Sequence, residues 1–232
     1  MNKILIVGCG HMGSALLKSW SLNTNNYFFI IDPIKYKKIN KMNNKKIKAF
    51  KNFSDLKSYN LIDIVIFAIK PQIAKNVLIE ISKKKFKKNT IYLSIVAGKK
   101  ISFFNNFLPP NNQFIRSMPN MPALVNQGMT CLIPNSNTTK NSIKIIDLLF
   151  LKVGKTFWLK RESDINKITA ISGSGPGYIF FFIDAFEKAA KQMGLGEKNT
   201  KKLVYQTLKG TIDLFFNEKK SAEILANNIA IK

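Results

Sequence analysis

The sequence predicts an α/β protein: a doubly wound, mostly parallel sheet followed by an all-helical domain. Three observations predict it. The chain opens on a five-residue apolar run, Lys3 to Val7, that stops on Gly8, Gly10 and Gly13, the G-x-G-x-x-G spacing. Short apolar runs then alternate with helical stretches of 10–15 residues up to about Lys160. Beyond that point only helical patterns occur.

Lys3 to Val7 suits a strand buried on both faces of a parallel sheet. Ser14 to Leu17 continue as a helix. Each glycine of the loop has a mechanical task. Gly8 permits the tight turn, Gly10 leaves room for a pyrophosphate, and Gly13 lets the helix lie close to the strand. The helix N-terminus offers backbone N–H groups and partial positive charge to phosphates, so the arrangement is Rossmann-type and predicts a dinucleotide.

Residues 27–31 form the second strand, and Asp32 closes it where a ribose-binding acid belongs, about 20 residues after the glycines. Asp32 favours free ribose hydroxyls and so NADH. Lys35, Lys37 and Lys38 follow at once and could hold a 2′-phosphate, so NADPH stays open while Asp32 alone leans to NADH. Asp32-Pro33 also reads as a helix N-cap with proline at the first helical position, opening a helix to about Asn43. Strands follow at 47–50 and 62–68. Lys70-Pro71 ends the latter, a helix runs over 72–84, and a strand over 90–96 turns at Ala97-Gly98. Strands at 114–117 and 129–133, a helix at 138–150 and a strand at 155–159 complete a dinucleotide-binding domain, 1–160.

The second domain, 161–232, starts with Ser163-Asp164 as a helix N-cap; that helix runs to about Ser172. Ser172-Gly173-Ser174-Gly175 breaks it. Pro176 opens a helix to Met193, stopped by Gly194. Tyr178, Ile179, Phe180, Phe181, Phe182, Ile183 and Phe186 make that helix apolar nearly all round, which predicts burial. One further helix, 197–217, covers one side only, so a homodimer or higher homo-oligomer is expected to cover the rest.

Composition narrows the function classes. The net charge of +24 comes from 37 basic residues of which only Arg116 and Arg161 are arginines. Arginine is the preferred fork for phosphates and base edges, so scattered lysines argue against a nucleic-acid partner. Cys9 and Cys131 have no metal-ligand spacing, and no metal is expected. The apolar runs are too short for a membrane span or a secretion signal, which predicts a cytoplasmic protein.

Four motifs stand in order: Gly8-Cys9-Gly10-His11-Met12-Gly13, Ala68-Ile69-Lys70-Pro71, Met118-Pro119-Asn120, and Ser172-Gly173-Ser174-Gly175-Pro176. Together with Ala97-Gly98 and Gly128-Met129-Thr130 they resemble the pyrroline-5-carboxylate reductase family over essentially the whole chain. The resemblance implies reduction of the C=N bond of 1-pyrroline-5-carboxylate to L-proline by NADPH or NADH. It implies that Gly8, Gly10, His11, Met12 and Gly13 line the pyrophosphate turn, although the family does not require histidine at position 11. Asp32 meets the adenosine ribose, Ala68, Lys70 and Pro71 lie beside the nicotinamide ribose, and Ala97 and Gly98 pack under the cofactor. Asn120 faces the nicotinamide and the substrate. Ser172, Gly173, Ser174, Gly175 and Pro176 form the substrate pocket, with Lys70 and Ser172 in positional catalytic roles.

Two departures stand out. Gly177 replaces the family's usual alanine. The sequence ends at Lys232, short of the Gly-Gly-Thr-Thr loop that holds the imine and carboxylate in the family, so these 232 residues are expected to bind cofactor but reduce substrate poorly. The alternatives are another two-domain NAD(P)-dependent reductase, with Lys188 or Lys191 as acid-base group by position alone, or a cofactor-binding dimer without activity.

Overall fold

The computed structural model describes residues 1–22 and 24–229. Chain packing divides it into two units, Met1–Pro176 and Gly177–Lys232.

The first unit is built on eight strands: β1 (Lys3–Val7), β2 (Tyr27–Ile31), β3 (Ile47–Phe50), β4 (Ile64–Phe67), β5 (Ile91–Ser94), β6 (Gln113–Met118), β7 (Gly128–Pro134) and β8 (Gly154–Trp158). Their order across the sheet is β3-β2-β1-β4-β5-β6-β7-β8, and every pair is parallel except β6 with β7. The antiparallel pair is joined by the short 3₁₀ turn Met121–Val125, too brief for the crossover that a parallel partner would require. The β3–β4 connection holds only a 3₁₀ turn, Tyr59–Leu61, and the remaining five carry α1 (His11–Trp20), α2 (Tyr36–Asn40), α3 (Ala74–Ser82), α4 (Ile101–Asn105) and α5 (Lys140–Phe150). After β8 comes α6 (Asp164–Ile168).

Both faces of the sheet are buried at its centre, in β1, β4 and β5. Ile4 and Ile6 of β1 join Leu16, Trp20, Phe28, Ile66 and Phe150 on one side. Leu5 and Val7 join Val65, Phe67, Leu78, Phe104 and Phe114 on the other. That is the period-2 split of a strand with no solvent face. The indole of Trp20 donates to the Leu149 carbonyl at 2.7 Å, tying α1 to α5 beneath the sheet.

The order in which strands are added reverses between β1 and β4, which lie parallel to each other. The sheet grows through β2 and β3 on one side, then returns to grow through β4 and β5 on the other. The carboxyl ends of β1, β2 and β4 therefore open a crevice at this switch point, where open α/β sheets take their ligands.

Several expected elements are corrected. The helix expected from Asp32 is only α2, because Asp32 caps the turn at 33–35 rather than the helix itself. Ser163 caps nothing: its φ and ψ of −57° and −28° are already helical, and a capping residue needs extended backbone. Its helix does not run to Ser172 in α form either. It passes at Thr169 into a π-helical turn, Thr169–Gly173, in which the Ser174 N–H reaches the Thr169 carbonyl five residues back at 2.8 Å. By packing, the first unit continues past Lys160 to Pro176, with Leu159 and Ile165 buried in the sheet core.

The second unit carries most of α7 (Gly175–Gln192), then α8 (Glu197–Asn217) and α9 (Ala222–Ile229). Gly194, at φ +87°, ends α7 as expected. The expected burial of α7 is not met within one chain. Tyr178, Ile179, Phe180, Phe181 and Phe182 are all more than half exposed, Phe181 at 77%, and of α7 only Ala190 is buried.

Candidate active site

The glycine loop follows from its backbone. Gly8 sits at φ +87°, and a β-carbon there would lie 2.6 Å from the Ala68 carbonyl oxygen, so only glycine permits β1 to turn against the end of β4. A β-carbon on Gly13 would stand 2.9 Å from the Gly8 oxygen, which sets the close seat of α1 on the loop. Gly10 is different. Nothing lies within 4 Å of its would-be β-carbon, and as the N-cap of α1 it provides no side-chain cap. The first turn of α1 thus presents its N–H groups beside open space, the arrangement an anionic diphosphate requires.

A cleft of about 700 Å³ spreads from this loop. Val7, Gly8, Cys9 and Gly10 floor it, Ile31, Asp32, Ile34 and Lys35 wall one side, and Ala68, Ile69, Lys70 and Ile73 wall the other, with Lys51, Asn52, Phe53 and Ser54 after β3 at the rim. The lining is mostly apolar with a few polar groups, as expected of a nucleotide site. The residues fit a dinucleotide: bare loop, free helix start, acid at the end of β2, and room at the switch point.

Asp32 is buried, and its carboxylate is occupied by backbone. Oδ2 accepts the Cys9 N–H at 2.7 Å, while Oδ1 accepts those of Ile34 at 2.9 Å and Lys35 at 2.7 Å. The acid therefore ties the end of β2 to the glycine loop. Cys9 is buried beneath it. Burial raises its thiol above the ordinary value, against the smaller opposing effects of the Ser14 hydroxyl and Lys35.

The second cluster of expected site residues stands elsewhere on the same unit. Asn120, buried at the end of β6, donates from Nδ2 to the Ser172 carbonyl at 2.9 Å and accepts the Met129 N–H on Oδ1 at 2.9 Å. The Ser172 hydroxyl donates to the Ile168 carbonyl at 3.1 Å and lies 3.7 Å from the Cys131 sulfur. Burial raises the Cys131 thiol, with the Ser172 hydroxyl opposing it. Gly173 has Thr169 Cγ2 3.0 Å from where its β-carbon would be, while Gly175 opens α7 with free space around it.

The cleft thus gathers Gly8, Gly10, Asp32, Ala68 and Lys70 of the expected residues. His11 is exposed on the first turn of α1, and Met12 packs toward the core. Pro71, Ala97 and Gly98 stand at strand ends outside the cleft lining, Gly98 at φ +71°. Asn120 and Ser172 to Pro176 are drawn together around the π-helical turn. Sequence reasoning missed Lys51, Asn52 and Ser54 at the rim, although their place just after β3 was a usable signal.

Comparison with known proteins meets this geometry. A family model described as pyrroline-5-carboxylate reductase dimerisation matches residues 162–232, and one described as NADP oxidoreductase, coenzyme F420-dependent, matches residues 3–98. A pyrroline-5-carboxylate reductase of Haemophilus influenzae is 30% identical over 236 residues, covering 99% of this chain and 84% of that protein. The chain belongs to the pyrroline-5-carboxylate reductase family. The Escherichia coli member is 30% identical over 213 residues, 90% of this chain and 78% of its own. Among solved structures, the Plasmodium falciparum pyrroline carboxylate reductase with NADP bound superposes with a TM-score of 0.86 at 28% identity, covering 100% of this chain and 85% of that one. The Streptococcus pyogenes 1-pyrroline-5-carboxylate reductase gives 0.87 at 26% identity, with 100% and 86% covered. The family's two-part plan, a Rossmann-type domain and a helical dimerisation segment, is the plan of this chain.

Proposed function

We infer that this chain is an NAD(P)H-dependent oxidoreductase that reduces 1-pyrroline-5-carboxylate to L-proline, the last step of proline biosynthesis. One observation carries the reading: a bare glycine loop at the switch point of a doubly wound sheet, in a chain that aligns along 99% of its length with a pyrroline-5-carboxylate reductase.

The bound nicotinamide would supply the hydride; the chain's task is to seat and orient it. Gly8, Gly10, His11, Met12 and Gly13 form the diphosphate seat, Asp32 holds the loop in shape, and Ala68, Lys70 and Pro71 border the ribose of the nicotinamide. Ala97 and Gly98 lie under the cofactor. The turn Ser172 to Pro176, held by Asn120, receives the substrate, its carboxylate meeting the helix start at Gly175. Lys70 and Ser172 position rather than react. Residues 1–160 act as the cofactor domain and 161–232 as the substrate and dimerisation domain. The exposed apolar face of α7 and the match to a dimerisation model support a homodimer or higher homo-oligomer. No helix among the described residues is long and apolar enough to cross a membrane. We further propose a cytoplasmic enzyme that acts on a small molecule; the scarcity of arginine among its 37 basic residues argues against a nucleic-acid partner.

The test follows the nicotinamide absorbance of the purified chain with NADH or NADPH and racemic 1-pyrroline-5-carboxylate, with proline identified as product. Consumption of cofactor that depends on this imine, and fails with 2-oxoacids, supports the reading. Turnover of a 2-oxoacid instead would assign the chain to another reductase chemistry.

A further inference from the structure

We propose that a cavity at the amino edge of the sheet, walled by Tyr92 and Lys84, is a second ligand site, and that it takes a small monocarboxylate built on one aromatic ring. That site is separate from the proposed reaction and does not rest on it.

The cavity follows from how the chain enters two neighbouring strands. β5 and β6 run parallel, so the segments that lead into them, 83–90 and 106–112, both lie at the amino edge, whereas the cofactor crevice opens at the carboxyl ends. Between these segments is a space of about 170 Å³, lined by Ile81 and Lys84 at the end of α3, Phe86 and Tyr92, and Phe107 and Leu108 beyond α4. An apolar cavity of about 150 Å³ accepts benzene, so this one has room for a single ring with a small polar group. The walls favour a ring. Phe86 stands edge-on to Tyr92 at 5.8 Å and edge-on to Tyr59 at 5.4 Å, which fixes its own ring from both sides.

Tyr92 supplies a polar contact. It is only 2% exposed, and its ring rises from β5 into the helix layer, where α3 and the segment after α4 form the other walls. The part of the side chain that reaches that layer is its tip, the hydroxyl, which has no hydrogen-bond partner among the described residues. Buried hydroxyls are seldom left without a bond. Burial raises the pKa of this one, so it stays protonated and offers a donor to a ligand's acceptor.

The lysines set the sign of the ligand's charge. Residues 83–88 hold five lysines, of which Lys83 and Lys87 are paired with Glu80 and Asp63. The half-buried Lys84 instead holds its ammonium over the Tyr59 ring, 5.4 Å from the centroid. No carboxylate among the described residues lines the cavity. An anion is therefore drawn in, and a ligand's own ammonium finds no counter-charge. A carboxylate accepts from the Tyr92 hydroxyl and meets the Lys84 ammonium, while its ring packs among Phe86, Phe107 and Leu108. A zwitterionic amino acid, the product of the proposed reaction included, is disfavoured.

The test is titration calorimetry of benzoate on the full chain, alone and saturated with NADPH, beside benzyl alcohol, acetate and L-proline. Benzoate is expected to bind saturably with a Kd of about 1 mM or below, with or without NADPH, and the other three at least about fivefold more weakly. Tyr92→Phe, which keeps the ring, and Lys84→Gln, both shown folded by circular dichroism, should each weaken benzoate at least about fivefold. Absence of saturable benzoate binding to wild type up to about 10 mM would overturn the proposal. Unchanged affinity in Tyr92→Phe would overturn it by placing benzoate elsewhere, and loss of binding on addition of NADPH would do so by placing it in the cofactor cleft. L-Proline that binds as tightly as benzoate, and is weakened as much by Tyr92→Phe, would overturn the ligand class.

Discussion

The Asn120 side-chain amide holds the Ser172 carbonyl at 2.9 Å while its oxygen holds the Met129 N–H at the same distance. One buried side chain thus pins a π-helical turn onto the start of β7. π-Helical turns are uncommon and collect at functional sites, and this one carries the Ser-Gly-Ser-Gly segment in which the substrate pocket is proposed. Removal of the clamp has a direct consequence. Asn120→Ala leaves two backbone groups without partners and should destabilise the chain by about 1–3 kcal/mol in a denaturant titration. It should leave NADPH affinity within about twofold of wild type, a difference of only a few tenths of a kcal/mol. A large fall in NADPH affinity would instead place the amide against the nicotinamide.

The first two glycines of the β1 loop make a contrasting pair. Gly8→Ala forces a side chain into φ +87° and against the Ala68 carbonyl, so it should cost several kcal/mol of stability. Gly10→Ala meets only open space and should melt within about 1 kcal/mol of wild type, the scale of an N-cap change. It should still weaken NADPH binding at least about tenfold, because the added methyl occupies the diphosphate seat. Thermal melts and cofactor titration on the two variants separate fold from function.

Asp32→Asn replaces a double acceptor by a single one. The amide cannot serve the Cys9 N–H on one side and those of Ile34 and Lys35 on the other. The expected loss is about 1–3 kcal/mol, read as an earlier denaturation midpoint, with amide hydrogen exchange at Cys9 accelerated more than at the centre of β5.

Burial raises both thiols, Cys9 and Cys131, above the ordinary value of 9.0. The reactive thiolate is then scarcer in the folded chain than in the unfolded one at any neutral pH. Iodoacetamide at pH 7.5 should label both cysteines in denaturant and neither promptly in the native protein. The native rate should climb only as pH rises past the ordinary thiol range.

The exposed face of α7 gives a structural test of assembly. Phe181→Glu with Phe182→Glu sets two charges into the proposed interface, where each buried phenyl would contribute about 1.5–3 kcal/mol. Sedimentation should show a dissociation constant raised at least about tenfold, with the circular dichroism of the first unit unchanged.

Much of the sheet is written locally. Residues 3–7, 27–31 and 47–50 are apolar runs bounded by turn residues, and β1, β2 and β3 occupy those same positions. Helix α8 likewise begins at Glu197 and ends at Asn217, where its pattern does. Other features depend on distant partners. Helix α4, five residues between lysines and asparagines, is too short for a period to emerge, and only the burial of Ile101 and Phe104 selects it. The π-helical turn reads as a break because four small residues in a row carry no period. One bond of Asn120 reaches 52 positions along the chain, and the brace from Asp32 to Cys9 spans 23, distances no local window covers. The sequence marked Asp32 by its place at the strand end, but its hydrogen-bond capacity was filled by neighbours that only the folded turn brings into range.

A helix that leaves five consecutive large apolar side chains facing water ties the integrity of the second unit to how many molecules share the solution. Mass action then enters the melting curve. Dilution should weaken the helical segment as a chemical denaturant would, and a melting temperature quoted for this enzyme carries meaning only beside the protein concentration at which it was taken.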